Sequence, residues 1–221
     1  MIMYPWGGGS VYGGWLNKCR NKETMNFLPL EINGNKVYAG FWKRFCASFI
    51  DALIIVGVTF PLMKTLDLYG SDRSLTIVLS VFRFLLMHMY TVYLHARFGG
   101  TFGKLAVGIR VTRPDGNRIG WNQAWRRSSV DIAIALLVLV SEVWAMFQVD
   151  WTQVAALGSD ERTTRLQEVS PLWDRAIDIF QNVWICSEVF VVLLNRRKRA
   201  LHDFIGGTVV IKKQFAEGTG K

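Results

Sequence analysis

Residues 131–149 read DIAIALLVLVSEVWAMFQV, an apolar run whose polar members are Asp131, Ser141, Glu142 and Gln148. At 1.5 Å per residue a helix of about 19 residues reaches across a hydrocarbon core about 30 Å thick. Working outward, three more blocks have the same character: Phe45 to Met63, Leu75 to about His95, and Ala176 to Leu194. The first opens on Trp42, Lys43 and Arg44, an aromatic and basic anchor for the membrane interface. The last is the most polar, holding Asp178, Gln181, Asn182 and Glu188. The expected fold class is therefore an all-α membrane protein with four transmembrane helices.

Charge placement supports this reading and sets an orientation. The 221-residue chain is 51% apolar with mean hydropathy +0.21 and carries a net charge of +9. Its basic residues flank the apolar blocks, the pattern of topology signals and of contact with anionic lipid rather than with nucleic acid. Lys and Arg crowd the segment before the first block, the 97–127 segment and the segment after Leu194. The 64–74 and 150–175 connections are poorer in them. The positive-inside rule then places both termini and the 97–127 segment in the cytoplasm. The expected partners are the lipid bilayer including anionic lipids, a second copy or another membrane protein, and a monovalent cation with a proton; no nucleic acid is expected.

Three parts follow: a flexible cytoplasmic tail over 1–37, a four-helix membrane domain over 38–213, and a tail over 214–221. No apolar signal-peptide core is visible in 1–37, and Trp6 and Trp15 are expected to touch the lipid interface. Within 97–127, Leu105–Thr112 alternates apolar and polar, and Pro114-Asp115-Gly116-Asn117 is a turn signal before Arg118–Trp121. This predicts a small cytoplasmic β-hairpin, with Thr208–Ile211 as a third strand. Gln123–Ser129 reads as a short basic amphipathic helix on the membrane surface.

Five ionisable residues fall inside the apolar blocks or at their edges: Asp51, Arg83, Asp131, Glu142 and Glu188. A charge in hydrocarbon is costly unless it finds a partner or water, so each marks a packing pair or an ion path. Asp51 and Glu188 both fall roughly 9 Å inside the basic end of their helices. With Arg44 and Asp203 they are expected to form one cluster. Arg83 and Glu142 lie at equal depth, roughly 16–18 Å from the same end, and are expected to pair. Asp131 is about three turns before Glu142, hence on the same helix face. A buried carboxylate whose pKa is raised exchanges protons near neutral pH, which proton-coupled transport needs.

Catalytic and metal signatures are missing. Cys19, Cys46 and Cys186 form no CxxC or zinc spacing, and His88, His95 and His202 are scattered. No P-loop, GxSxG or HExxH occurs. Gly99–Lys104 is glycine-rich but lacks the phosphate-loop spacing and a preceding strand, so it is expected to be a tight turn where the second helix ends. Neither an enzyme, a cofactor nor a metal is expected.

Three motifs carry a resemblance. Ala39-Gly40-Phe41-Trp42-Lys43-Arg44-Phe45 running on to Asp51 is the first. Gly100-Thr101-Phe102-Gly103-Lys104 with Gly108-Ile109-Arg110-Val111 and the Asp115-Gly116 turn is the second. Arg199-Ala200-Leu201-His202-Asp203 with Gly206-Gly207-Thr208 is the third. Together, over roughly 38–213, the chain resembles the RDD family. Its naming Arg and two Asp map onto Arg44, Asp51 and Asp203. The resemblance implies a bacterial inner (cytoplasmic) membrane protein. It also implies one of two activities: some members look like sodium, lithium or potassium/proton antiporters, and a eukaryotic relative looks like an accessory scaffold in a membrane-protein quality-control complex. The leading expectation is a monovalent cation/proton exchanger or a subunit of one, with Asp51, Glu188, Arg44 and Asp203 binding the ion or proton. The alternative is a non-enzymatic scaffold or assembly factor that docks a partner protein.

Overall fold

The computed structural model describes residues 27–69 and 72–216. Trp6, Trp15 and Cys19 lie outside them. The chain runs through a small hairpin, β1 (Glu31–Ile32) and β2 (Asn35–Lys36), into the long helices α1 (Phe41–Tyr69) and α2 (Arg73–Phe98). A short helix α3 (Phe102–Ala106) and strand β3 (Ile109–Thr112) lead to α4 (Trp121–Gln148). Two short helices, α5 (Trp151–Ala155) and α6 (Ser159–Glu168), precede α7 (Leu172–Leu194). The chain closes with α8 (Leu201–Ile205) and β4 (Val209–Lys212).

The four long helices, α1, α2, α4 and α7, contain spans long and apolar enough to cross a membrane. Their outer faces expose rows of large apolar side chains, among them Phe49, Leu53, Val56 and Phe60 on α1 and Val183, Phe190 and Leu193 on α7. Such faces need cover by lipid or by another apolar surface. Local chemistry sets the helix ends. Asp72 caps α2 by accepting from the Ser74 N–H at 2.8 Å. Gly99, at φ 74°, ends it in a left-handed turn and donates to the His95 carbonyl. The Gln123 side chain accepts from the Gly120 N–H at 2.9 Å and fixes the start of α4.

The sheet differs from the expected hairpin. β3 pairs antiparallel with β4, with Ile109 opposite Lys212 and Thr112 opposite Val209. Arg118 contributes only a single bridge to Thr112, and Tyr38 bridges Ile211 on the far side of β4. The alternation over Leu105–Thr112 is not all strand: Leu105 and Ala106 end α3, Val107 and Gly108 turn, and only Ile109–Thr112 is strand. The period-two faces then divide cleanly. Ile109, Val111 and Val210 pack on Ala47, Val92 and Ala124 at the helix ends. Val209 and Ile211 pack on Val37, Tyr38 and Ala216. So the tail expected over 1–37 is anchored from Phe27 onward, by this core and by the Asn33-Gly34 turn, whose two positive φ angles suit a tight hairpin.

The expected surface helix Gln123–Ser129 is the first two turns of α4 rather than a separate element. At the opposite end, the 150–175 connection folds into α5 and α6. Trp151 and Val154 pack there with Met146. The starts of α1 and α4 and the ends of α2 and α7 thus gather at one end, the sheet end, where the motif residues meet.

Candidate functional site

Asp203 is the centre of the sheet end. It is fully buried, on α8, and its carboxylate meets four donors. Arg44 Nη1 reaches Oδ2 at 2.9 Å, the Ala200 N–H donates to Oδ2 at 2.9 Å, Thr208 Oγ1 donates to Oδ1 at 3.2 Å, and Arg127 Nη1 pairs with Oδ1. Burial alone would raise the Asp203 pKa; Arg127 and Arg44 overcome this and hold it well below the usual carboxylate range. Arg44 also donates to the Lys198 carbonyl at 2.5 Å and the Ala39 carbonyl at 3.4 Å. Arg199 closes the back of the cluster through the Thr208 and Asp203 carbonyls, both at 3.0 Å. The result joins α1, α4, α8 and Thr208, just before β4, in one network whose carboxylate is saturated.

His202 extends the network. Its Nε2 lies 2.5 Å from Arg127 Nη2, which can only donate, so Nε2 accepts. Nδ1 then carries the proton and donates to Glu188 Oε2, while the His202 backbone N–H donates to Oε1 at 3.0 Å. Burial and the neighbouring Arg127 hold His202 below its ordinary pKa, in keeping with this neutral tautomer.

Asp51 stands apart from the expected cluster. It accepts from Thr101 Oγ1, from the Gly103 N–H at 2.9 Å and from Tyr90 Oη at 3.3 Å. These donors come from α2 and the loop after it, so Asp51 fastens that loop to α1. The approach is close: a Cβ on Gly103 would overlap the Ala47 carbonyl oxygen and come within 2.9 Å of Asp51 Cγ. Asp51 occupies the Gly103 N–H, a donor of the kind a phosphate loop would present to its ligand.

The second expected pair forms as predicted. Arg83 Nη2 lies 3.0 Å from Glu142 Oε2, and Ser80 Oγ donates to Oε1 at 2.9 Å. Both charged side chains are part-exposed, and they line a cavity of about 310 Å³ with His88, Asp131 and Trp184. His88 Nδ1 lies 2.8 Å from the Phe84 carbonyl, so Nδ1 carries the proton and Nε2 is the acceptor. A second cavity of about 470 Å³ lies toward the sheet end, lined by Arg44, Lys104, Arg127, Glu188 and His202 among others. The two share Asp131, Trp184 and Ile185. At that boundary Trp184 Nε1 donates to Asp131 Oδ1 at 2.9 Å.

Arg127, His202, Thr101 and Gly103 join the site although none is among the candidate site residues of the sequence. Arg127, expected on a basic helix at the membrane surface, is buried. The signal was available: Arg127 precedes Asp131 by one helical turn, on the stripe that continues through Ile134, Val138 and Glu142 into the cavity.

Four spans with apolar outer faces, an intramembrane Arg83–Glu142 pair and a buried ion-pair cluster at one end define the class: a polytopic helical integral membrane protein. Residues 38–207 match the model of the RDD family, well over half of the chain, and the chain belongs to that family. No curated protein and no solved structure matches it.

Proposed function

We propose that this protein exchanges a monovalent cation for a proton across the bacterial inner membrane, alone or as a subunit of an oligomer, with both described ends of the chain on the cytoplasmic side. One observation carries the reading. Two cavities between the spanning helices share Asp131 and Trp184, which are hydrogen-bonded to each other, and together offer three carboxylates on otherwise largely apolar walls, Glu188, Asp131 and Glu142, from the sheet end inward. Carboxylates lining cavities inside a helical bundle are where ion and proton paths run. In this scheme a carboxylate alternately holds a proton or the cation, Arg83 pairs with Glu142, and His88 lines the same cavity. Asp51, by contrast, keeps the loop in place. Arg44 and Asp203 hold the helix ends.

The scaffold reading rests on a different observation. All three residues for which the family is named are engaged in hydrogen bonds that join elements. Under it, the charges fix helix ends and the sheet end docks a partner protein.

Proton flux in sealed vesicles of the reconstituted protein separates the two. Addition of Na⁺, Li⁺ or K⁺ is expected to drive flux in the wild type, and Glu142→Gln and Asp131→Asn are expected to abolish it at an unchanged protein level. Absence of flux from folded wild type with all three cations would sink self-sufficient exchange. Recovery of one stoichiometric membrane partner with that inactive protein would favour the scaffold.

A further inference from the structure

The larger of the two cavities is a cleft with two kinds of wall. One is apolar and built from Phe41 and Phe45 of α1 and Val189 and Val192 of α7. The other is the basic floor of the sheet end, with Arg44, Arg127 and Lys104. Two of these cations are already bonded to Asp203. Lys104 is not. Its ammonium, with three donors and no acceptor, meets His95 Nε2 at 3.0 Å. The His95 Nδ1 lies 2.6 Å from the Thr91 carbonyl, so Nδ1 bears the proton and Nε2 is a neutral acceptor. Among the described residues Lys104 has no carboxylate ion-pair partner. The two carboxylates on the cleft wall are themselves engaged, Glu188 by His202 and Asp131 by Trp184.

An uncompensated ammonium inside a bundle is costly, and an anion beside it relieves that cost. The cleft is walled by α1 and α7, two of the spanning helices. A soluble anion would use the floor and leave the apolar walls bare. We propose that the cleft is a binding site for one anionic phospholipid. Its phosphate sits on Lys104 beside Arg127, and an acyl chain lies along Phe45 and Val189. The proposal goes beyond ion exchange and stands on the cleft alone.

The test uses the full chain purified in neutral detergent and titrated with phosphatidylglycerol, phosphatidylcholine or inorganic phosphate. Native mass spectrometry counts adducts and thermal unfolding reads stabilisation. Phosphatidylglycerol is expected to give one retained adduct and a rise in unfolding temperature that phosphatidylcholine does not. Lys104→Gln is expected to weaken that binding about tenfold or more, as loss of a hydrogen bond to a charged group implies. Ser48→Trp, which fills the cleft from an exposed position and leaves the cations intact, is expected to remove the adduct as well. Equal binding of phosphatidylcholine would overturn the proposal, as would full stabilisation by inorganic phosphate alone. If Lys104→Gln fails to fold, Ser48→Trp decides, and a phosphatidylglycerol adduct that persists in it overturns the site.

Discussion

Two charged regions of the same bundle have opposite designs. At the sheet end, Asp203 is sealed from solvent and saturated by two guanidinium groups, a hydroxyl and a backbone N–H. In the mid-bundle cavity, Glu142 and Arg83 form a single pair, part-exposed, beside a histidine with an acceptor nitrogen. A saturated carboxylate has no coordination left for a passing ion, whereas a part-exposed one in a cavity has. The difference teaches that in this chain Arg44, Asp51 and Asp203 fasten the fold, and that the proposed exchange is better sought among charges off that motif.

The largest way to break the contrast is Asp203→Ala. It leaves Arg44 and Arg127 buried without their carboxylate and is expected to cost about 3–5 kcal/mol, read as loss of folded protein in detergent. If Asp203→Ala unfolds no more readily than Glu142→Gln, the division into fastening and cavity charges fails. Next is Gly103→Ala, which drives a methyl into the Ala47 carbonyl and the Asp51 carboxylate. The expected cost is about 3 kcal/mol, at the upper end for overpacking, visible as a lowered unfolding temperature. Thr101→Val removes one donor from Asp51 at similar volume. It should cost about 1–2 kcal/mol, and an unchanged melting curve would show that Asp51 does not depend on it.

The smallest effect concerns pH. His202 has a lowered pKa in the folded protein, so the unfolded chain binds its proton first as pH falls. Stability from this group is intact above about pH 6.5 and declines below it. Asp203 adds no slope there: its folded pKa is depressed, so its contribution persists until pH drops below about 4 and is lost only toward the folded value. Unfolding temperature is therefore expected to fall between about pH 6.5 and 5 in the wild type, and His202→Gln should flatten that slope. An unchanged slope would remove His202 from the account.

Much of this architecture was legible because a bilayer imposes a long apolar run on each span. The four helices and the Arg83–Glu142 pair follow from length and depth alone. The sheet did not, because β3 finds its partner in β4, far along the chain, while the nearer Arg118–Trp121 segment offered a plausible turn. Depth alone also misplaced Asp51. Its height in the membrane matches that of Glu188, but helix phase and the Gly103 loop turn it to other partners. Arg127 was lost to the opposite error, since a basic pair at a membrane boundary reads as surface unless its helical phase is followed inward.

The Arg44–Asp203 ion pair spans 159 residues of chain. At the usual pace of synthesis, roughly 10–30 s separate the appearance of its two members. During that interval α1 is inserted with its guanidinium uncompensated, and Arg127 emerges into the same situation. The nascent bundle must therefore hold its first helices near the lipid headgroups, or against another protein, until the last short segment arrives. Chains cut before α8 would keep all four spans and carry two arginines without their carboxylate.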